Sequence, residues 1–325
     1  MRVLVLAVLV FSISVYAELQ NDILWKNYKI KHGKTYKNQV EEIKRYAIYQ
    51  EHIRSIEEHN ARFEKGLTSY KKGVNQFTDM TRDEYLAILT LQLNGKPTKT
   101  GNRTIFKSST DDVPDSIDWR DSGIVTAIKD QGTCGACWAF SATGALEAAY
   151  AQKTGNLVSF SEQQIVDCSK VEPYGMAGCN GGFMEAAFDY VTDYGIQTET
   201  SYPYEGVDGS CRFSGEYVTK ANGYIDLPEF EEDALVEAVG TIGPISVAID
   251  ANNLAEYASG IYDEPCSSFV LNHGVLAVGY GIENGQPYWL IKNSWGVSWG
   301  EEGYFKLKRG ENQCGVAVEP SYPLL

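Results

Sequence analysis

Gln131-Gly132-Thr133-Cys134-Gly135-Ala136-Cys137-Trp138-Ala139-Phe140 is a polar, glycine-bearing loop that runs straight into an alanine-rich segment ending near Gly155. The change of texture at Cys137 reads as a loop feeding the N-terminus of a helix. There, unpaired backbone N–H groups and the positive end of the helix dipole favour a thiolate over a thiol, which places the Cys137 sulfur as a nucleophile. Taken alone, Cys134 and Cys137 are also a Cys-x-x-Cys pair, and such a pair can be a structural disulfide, a redox site or half of a zinc site.

Working outward, the 325 residues are 43% apolar and 22% charged, which suits a globular protein with a sizeable core and excludes a disordered or fibrous one. One or two packed units are expected. Met1 to Ala17 carry an early Arg2, an apolar run from Val3 to Val15 and small residues at the end, the pattern of a secretory signal cleaved after Ala17. No later run approaches the roughly 18 apolar residues of a membrane-spanning helix, so a soluble mature protein is expected. All seven cysteines lie between Cys134 and Cys314, in a chain bound for an oxidising compartment. The odd number leaves one thiol unpaired, and spacing alone leaves open which one and how the other six pair.

Charge is unevenly spread. Residues 18–112 hold 17 Lys and Arg against 13 Asp and Glu, a net of +4, whereas residues 113–325 hold 10 against 30, a net of −20. The acidic body argues against nucleic acid or an anionic membrane as partner. It also implies that the basic segment is held partly by opposite charge and that acid loosens it by protonating carboxylates.

From Asn21 to about Lys65 the pattern is helical, with Ile23, Trp25, Tyr28 and Ile30 leading in and Ile43, Tyr46, Ala47, Ile53 and Ile56 recurring at three- and four-residue steps. Glu41, Glu42 and Arg45 fall on the charged face, where Glu41 and Arg45 can pair at i,i+4. The series Glu41, Arg45, Tyr49, His52, Ile56, Asn60 resembles the ERFNIN helix of cathepsin L-type propeptides, with Tyr49 where Phe is usual and His52 where the first Asn is usual. Gly73, Asn75, Phe77 and Asp79 resemble the GxNxFxD motif of the same propeptides, an apolar and acidic kink linked to pH-sensitive release. Leu93 to Asp112 turn polar and glycine-bearing and read as a linker. Asn102-Arg103-Thr104 within it is an N-glycosylation triplet.

The mature domain is expected to begin near Val113-Pro114 and to run to residue 325. Its first half is mainly helical, with a glycine-rich loop at Gly178–Gly182 and a helix over Phe183–Tyr194. From Gly243 the texture turns to strand, at Ile245–Ile249, Gly274–Tyr280, Tyr288–Lys292 and Tyr304–Leu307. A ligand cleft between two such halves is a plausible site.

A thiol nucleophile needs a base, a group that orients the base and donors for the oxyanion. Three of the four histidines, His32, His52 and His59, fall in the N-terminal segment, which leaves His273 as the imidazole of the mature domain. Asn293, 156 residues after Cys137, has a side-chain carbonyl that can accept the His273 ring N–H and fix its tautomer. Trp295 and Trp299 can shield that bond from water. Gln131 can offer an amide N–H to the oxyanion, with the Cys137 backbone N–H as second donor.

Cys134 to Trp138 match the Cys-Gly-[Ser/Ala]-Cys-[Trp/Tyr] signature of papain and the cathepsins, and with the two propeptide motifs the chain resembles a cathepsin L-like preproenzyme of the papain family. The resemblance implies an α+β, two-lobed papain-like fold, with a helical left lobe, a β-barrel-like right lobe and an N-terminal helical propeptide over residues 18–112. It implies a cysteine endopeptidase needing no cofactor or metal, with Cys137, His273, Asn293 and Gln131 as its catalytic residues. It pairs Cys134 with Cys179, Cys168 with Cys211 and Cys266 with Cys314.

It also implies that Gly181 and Gly182 offer backbone to an extended substrate. Phe183, Met184, Ala248, Leu271 and Gly274 would line an apolar pocket for the second residue before the cut, with Glu319 at its floor. Asn272, before the histidine, is Asp in many relatives. The partners expected are protein and peptide substrates, the propeptide as inhibitor and cystatin-type inhibitors, for a monomer that is lysosomal or secreted. Two competing readings remain, an inactive relative acting as a binding or storage protein and a Cys-x-x-Cys oxidoreductase that exchanges disulfides without cutting peptides. The first is disfavoured by the intact quartet, and no zinc-spaced Cys/His set, phosphate loop or internal repeat is present.

Overall fold

The structure is a computed structural model that describes residues 21–91, 103–108, 112–171 and 173–325. The signal-peptide reading of Met1–Ala17 and the glycosylation reading of Asn102 lie outside these residues.

The N-terminal helical pattern is two helices, α1 over residues 21–31 and α2 over Gln39–Phe63. The break is chemical. Gly33 takes a left-handed φ of +61°, and Asn38 caps α2 by accepting the Glu41 amide at 3.0 Å. The chain therefore turns back, and Trp25 of α1 stacks on Tyr28 and Tyr36 and meets Tyr46 and Tyr49. This aromatic cluster carries the packing, while the aliphatic residues expected on the buried stripe, Ile23, Ile30 and Ile43, are 50%, 80% and 62% exposed. Arg45 pairs with Glu41 at 3.8 Å as the i,i+4 spacing allows, but its closer, bidentate partner is Glu84 at 2.6 and 2.7 Å.

After α2 come β1 (Tyr70–Lys72), α3 (Arg82–Leu86) and β2 (Arg103–Ile105). The stretch read as an irregular linker thus contains a strand. Residues from 113 onward add β3 (Ile117–Asp118), α4 (Cys137–Thr154), α5 (Glu162–Cys168), α6 (Met184–Tyr194), β4 (Tyr224–Asp226) and α7 (Glu232–Thr241). Then follow β5 (Ile245–Ile249), β6 (Tyr257–Tyr262), β7 (His273–Glu283), β8 (Gln286–Lys292), β9 (Tyr304–Lys308) and β10 (Ser321–Pro323). The sheet order is β1-β6-β9-β8-β7-β5-β10-β4-β2, so the N-terminal segment supplies an edge strand at each end, β1 antiparallel to β6 and β2 parallel to β4.

β7 explains how one sheet serves two lobes. Alternate residues of a strand face opposite sides. Leu276 and Val278 join the helical core of α4, α5 and α6, whereas Val275 and Ala277 join the core around Trp289, Trp299 and Phe305. A strand buried on both faces reads as a continuous apolar run, which is why 274–280 was legible. α4 is buried almost all round, and its alanines and Gly144 allow close packing: a Cβ on Gly144 would sit 2.9 Å from Leu276 Cδ2. Three disulfides, Cys134–Cys179, Cys168–Cys211 and Cys266–Cys314, leave Cys137 as the free thiol.

Candidate active site

The hairpin of β7 and β8 turns at Asn284-Gly285, both with positive φ (51° and 81°), the left-handed pair that a type I′ turn requires. Its register sets Leu276 opposite Lys292, so the start of β7 and the residue after β8 converge at one end. There His273 Nε2 meets Asn293 Oδ1 at 2.8 Å. The Ser294 amide also donates to Asn293 Oδ1, at 2.8 Å, which identifies that atom as the oxygen. Nε2 therefore carries the ring proton and Nδ1 the lone pair, and Nδ1 is buried without a hydrogen-bond partner. Trp295 stacks on the imidazole at 4.6 Å and 23°, and Trp299 meets Trp295 edge-on at 4.8 Å, so Trp295 covers the ring and Trp299 backs it.

Cys137 is the first residue of α4. β7 reaches this helix end closely enough that a Cβ on Gly274 would stand 3.2 Å from the Cys137 carbonyl oxygen. Gln131 is held from three sides: its Nε2 donates to Cys134 O at 2.9 Å, Ser294 Oγ donates to its Oε1 at 2.7 Å, and Tyr204 Oη donates to its backbone oxygen at 2.9 Å. One Nε2 hydrogen remains for another acceptor. Ser294 is the residue that sequence reasoning passed over. It contacts both Asn293 and Gln131, and its place directly after Asn293 was the available signal.

The pocket residues sort unevenly. Phe183, Met184, Ala248 and Leu271 belong to one buried cluster, together with Val318, the residue before half-buried Glu319. Gly181 has a φ of +120°, and a Cβ on Gly182 would lie 2.6 Å from the Trp138 ring, so glycine is required at both positions. Gly274 lies against Cys137. The Asn272 side chain turns to the 251–252 loop, accepting from Ala251 N at 2.9 Å and donating to Asn252 at 3.0 Å, which leaves its backbone carbonyl for the cleft.

That carbonyl is engaged by the N-terminal segment of the same chain. Leu91 N donates to Asn272 O at 3.1 Å, Leu91 joins the Phe183–Leu271 cluster, and Thr90 Oγ1 donates to Gly135 O at 2.7 Å. Upstream, Phe77 and Tyr85 pack edge-on against Trp295 at 5.1 and 5.9 Å, and Gln76 donates to Trp295 O at 2.6 Å. The cleft is thus filled, and its groups respond. Burial pushes the Cys137 thiol up to about 11, against backbone hydrogen bonds from Gly274, Trp138 and Thr90 that favour the thiolate. Burial likewise takes His273 down to about 4, against the Asn293 hydrogen bond. With the cleft covered, thiol and imidazole are both neutral at pH 7.

Among the described residues, no group of three or more His, Cys, Asp or Glu is placed to hold a metal, and no helix is long and apolar enough to cross a membrane.

Residues 113–324 match the papain family cysteine protease model, and residues 25–85 match the cathepsin propeptide inhibitor domain (I29). The chain belongs to the papain family. It is 48% identical over 312 residues to cathepsin L of Sarcophaga peregrina, covering 92% of this chain and 91% of that one. It is 47% identical to digestive cysteine proteinase 3 of Homarus americanus, covering 92% and 94%. Digestive procathepsin L 3 from Tenebrio molitor larval midgut superposes with a TM-score of 0.88 at 46% identity, covering 94% of this chain and 99% of that one. This papain-family chain is therefore a cathepsin L-like cysteine peptidase with its own inhibitory propeptide, and the expected fold holds.

In the intact zymogen at pH 8, Cys137 should react with iodoacetamide roughly a hundredfold more slowly than an unperturbed thiol, because two pK units separate their thiolate fractions. An alkylation time course followed by peptide mapping checks this.

Proposed function

We propose that residues 1–17 are a signal peptide, 18–112 a propeptide and 113–325 an endopeptidase that acid frees from its propeptide, with Cys137, His273, Asn293 and Gln131 as the catalytic residues. The observation carrying this is the 2.8 Å contact between His273 and Asn293, which leaves Nδ1 with a lone pair on the residue before Gly274, whose backbone lies against Cys137 at the start of α4. Once the propeptide leaves, water returns to the cleft, and the burial that holds thiol and imidazole neutral is relieved. The thiol proton passes to His273, and the thiolate attacks the peptide carbonyl. Gln131 Nε2–H and the Cys137 amide stabilise the oxyanion, and His273 gives its proton to the leaving amine. His273 then takes a proton from water, which attacks the thioester and releases the acid and the thiol.

Acid release has a candidate trigger in Asp79. This buried carboxylate pairs with Lys34 at 2.7 Å and accepts from Tyr28 Oη at 2.7 Å and Tyr36 Oη at 2.8 Å. Burial and Asp79 itself push the Tyr28 hydroxyl far above its ordinary value, so Tyr28 stays a donor. Through these contacts the Asp79 carboxylate ties α1 to the 73–79 kink, and Asp79→Asn should loosen that tie.

The Phe183–Met184–Ala248–Leu271 cluster supports a preference for bulky apolar side chains at the second position before the cut, and Glu319 beside it would admit Arg. Glycosylation at Asn102 fits the exposed Thr104 two residues on. A secretory route to lysosome or exterior, a monomeric state and cystatin-type inhibitors complete the reading.

The test is a peptide series on the released enzyme. Phe-Arg amides should be cleaved across the acid range, with Arg-Arg amides gaining relative to them as pH rises and a carboxylate charge develops at Glu319. A flat ratio removes Glu319 from the pocket.

A further inference from the structure

Several basic side chains of the propeptide pair inside it: Lys29 with Glu42, Lys34 with Asp79, Arg45 with Glu84 and Lys71 with Glu64. Opposite charge holds the segment to the acidic body only in part, beside backbone and aromatic contacts such as Leu91 N to Asn272 O and Phe77 on Trp295. Glu256 of the mature domain carries such a charged contact. Its Oε1 lies 2.5 Å from His52 Nδ1 of α2, its Oε2 lies 3.3 Å from Lys72 Nζ of β1, and its side chain is only 10% exposed. Its backbone oxygen accepts from Gly73 N at 2.8 Å, and the next residue, Tyr257, pairs with Lys72 in the β1–β6 register. A cavity of about 210 Å³ adjoins this contact, lined among others by His52, Lys72, Arg82, Glu256 and Glu264. Arg82 is turned to Asn252 and Asn253, and Glu264 accepts from Tyr70 Oη at 2.9 Å.

Resting on the zymogen reading above, we propose that His52, Glu256 and Lys72 form a latch across the propeptide seam that resists mild acid, so that the propeptide leaves only when Glu256 is protonated. His52 Nδ1 and Lys72 Nζ reach the two oxygens of one carboxylate, and hydrogen bonds to an ionised group are stronger than neutral ones, so the contact holds for as long as Glu256 stays ionised.

Burial pushes Glu256 up, but the His52 hydrogen bond and the Lys72 charge outweigh it and hold Glu256 below its ordinary value while the propeptide is docked. Without the propeptide that depression disappears. Docking is therefore favoured above the free value of Glu256 and loses this contribution as pH falls through the lower, docked value. Loss of His52 should make the propeptide leave at a higher pH.

The experiment compares full-length proenzyme with His52→Asn, which keeps a polar side chain of similar reach without a titrating proton, and with Glu256→Gln. Self-release is timed by mass from pH 6.5 to 3.5. The midpoint of His52→Asn should move up by about 0.5 to 1 pH unit, with release at pH 5.5 several-fold faster. Glu256→Gln should do the same, and the double variant should add little to either. The enzyme released from His52→Asn should match wild type on peptides, since His52 is no longer attached.

A second readout does not depend on catalysis. In a Cys137→Ala background, hydrogen exchange of 70–72 and 257–262 should lose protection at a higher pH with His52→Asn than without it. Exchange and release midpoints that are unchanged or lowered by His52→Asn overturn the latch. A wild type that opens by exchange yet never cuts peptides would overturn the catalytic reading instead.

Discussion

His273→Ala, freed of residues 18–112 by an added protease, is expected to retain no more than about one part in 10⁴ of the wild-type kcat/KM on Phe-Arg amides. In the proposed mechanism the imidazole both accepts the thiol proton and donates to the leaving amine, and residues 113–325 hold no other histidine. Two controls separate chemistry from folding. The ring stacks on Trp295 in a buried site, so its removal should cost stability by about 1–3 kcal/mol, visible as a lowered urea midpoint. Imidazole added to the solution should restore part of the rate if only the base is missing. A variant with activity within tenfold of wild type would remove His273 from the mechanism.

Gln131→Ala is expected to lower kcat by about 10²–10³ with little change in KM, the effect of losing one oxyanion donor. Gln131 also bridges the lobes, since Ser294 Oγ donates to its Oε1 and its Nε2 binds Cys134 O. Gln131→Glu is the sharper control. It keeps the acceptor for Ser294 and the shape of the side chain but offers no N–H when ionised and sets an oxygen against Cys134 O, so it should be as slow as the alanine variant and no more stable. If Gln131→Glu is fast, the side chain serves the lobe contact alone.

The parts of this molecule that were legible in the sequence are those whose periodicity and burial agree. β5 and β7 are buried on both faces and read as apolar runs, and α4 is buried all round and reads as an alanine-rich block. The N-terminal pattern misled for a physical reason: its aliphatic residues keep helical spacing but face solvent, while Trp25, Tyr28 and Tyr49 make the core and Gly33 breaks the helix. Strand β2 was hidden because a three-residue edge strand is made by pairing with β4 and needs no apolar alternation of its own. The site was legible in its residue types, since the chain offers few candidates. Its closure by Leu91 and Thr90 was not, because those contacts run largely through backbone groups that carry no sequence signal.

A buried ionic group between the lobes was also missed. Lys129 binds Glu147 at 2.7 Å and Glu162 at 2.6 Å, while Lys292, next to Asn293, binds Thr126 at 2.8 Å. Four charges scattered between positions 129 and 292 give no local pattern, and only the packing of α4 against α5 and β7, with β8 paired to β7, assembles them.

The central claim is that one chain carries both a cysteine peptidase and the segment that blocks it. The most direct measurement takes purified proenzyme and its Cys137→Ala variant from pH 7 to about pH 4.5 with a thiol reductant, following intact mass and Phe-Arg amide cleavage together. The wild type should lose its N-terminal segment to near Val113 and gain activity in step, and the variant should stay full length and inactive. Equal processing and equal activity in the two proteins would contradict it.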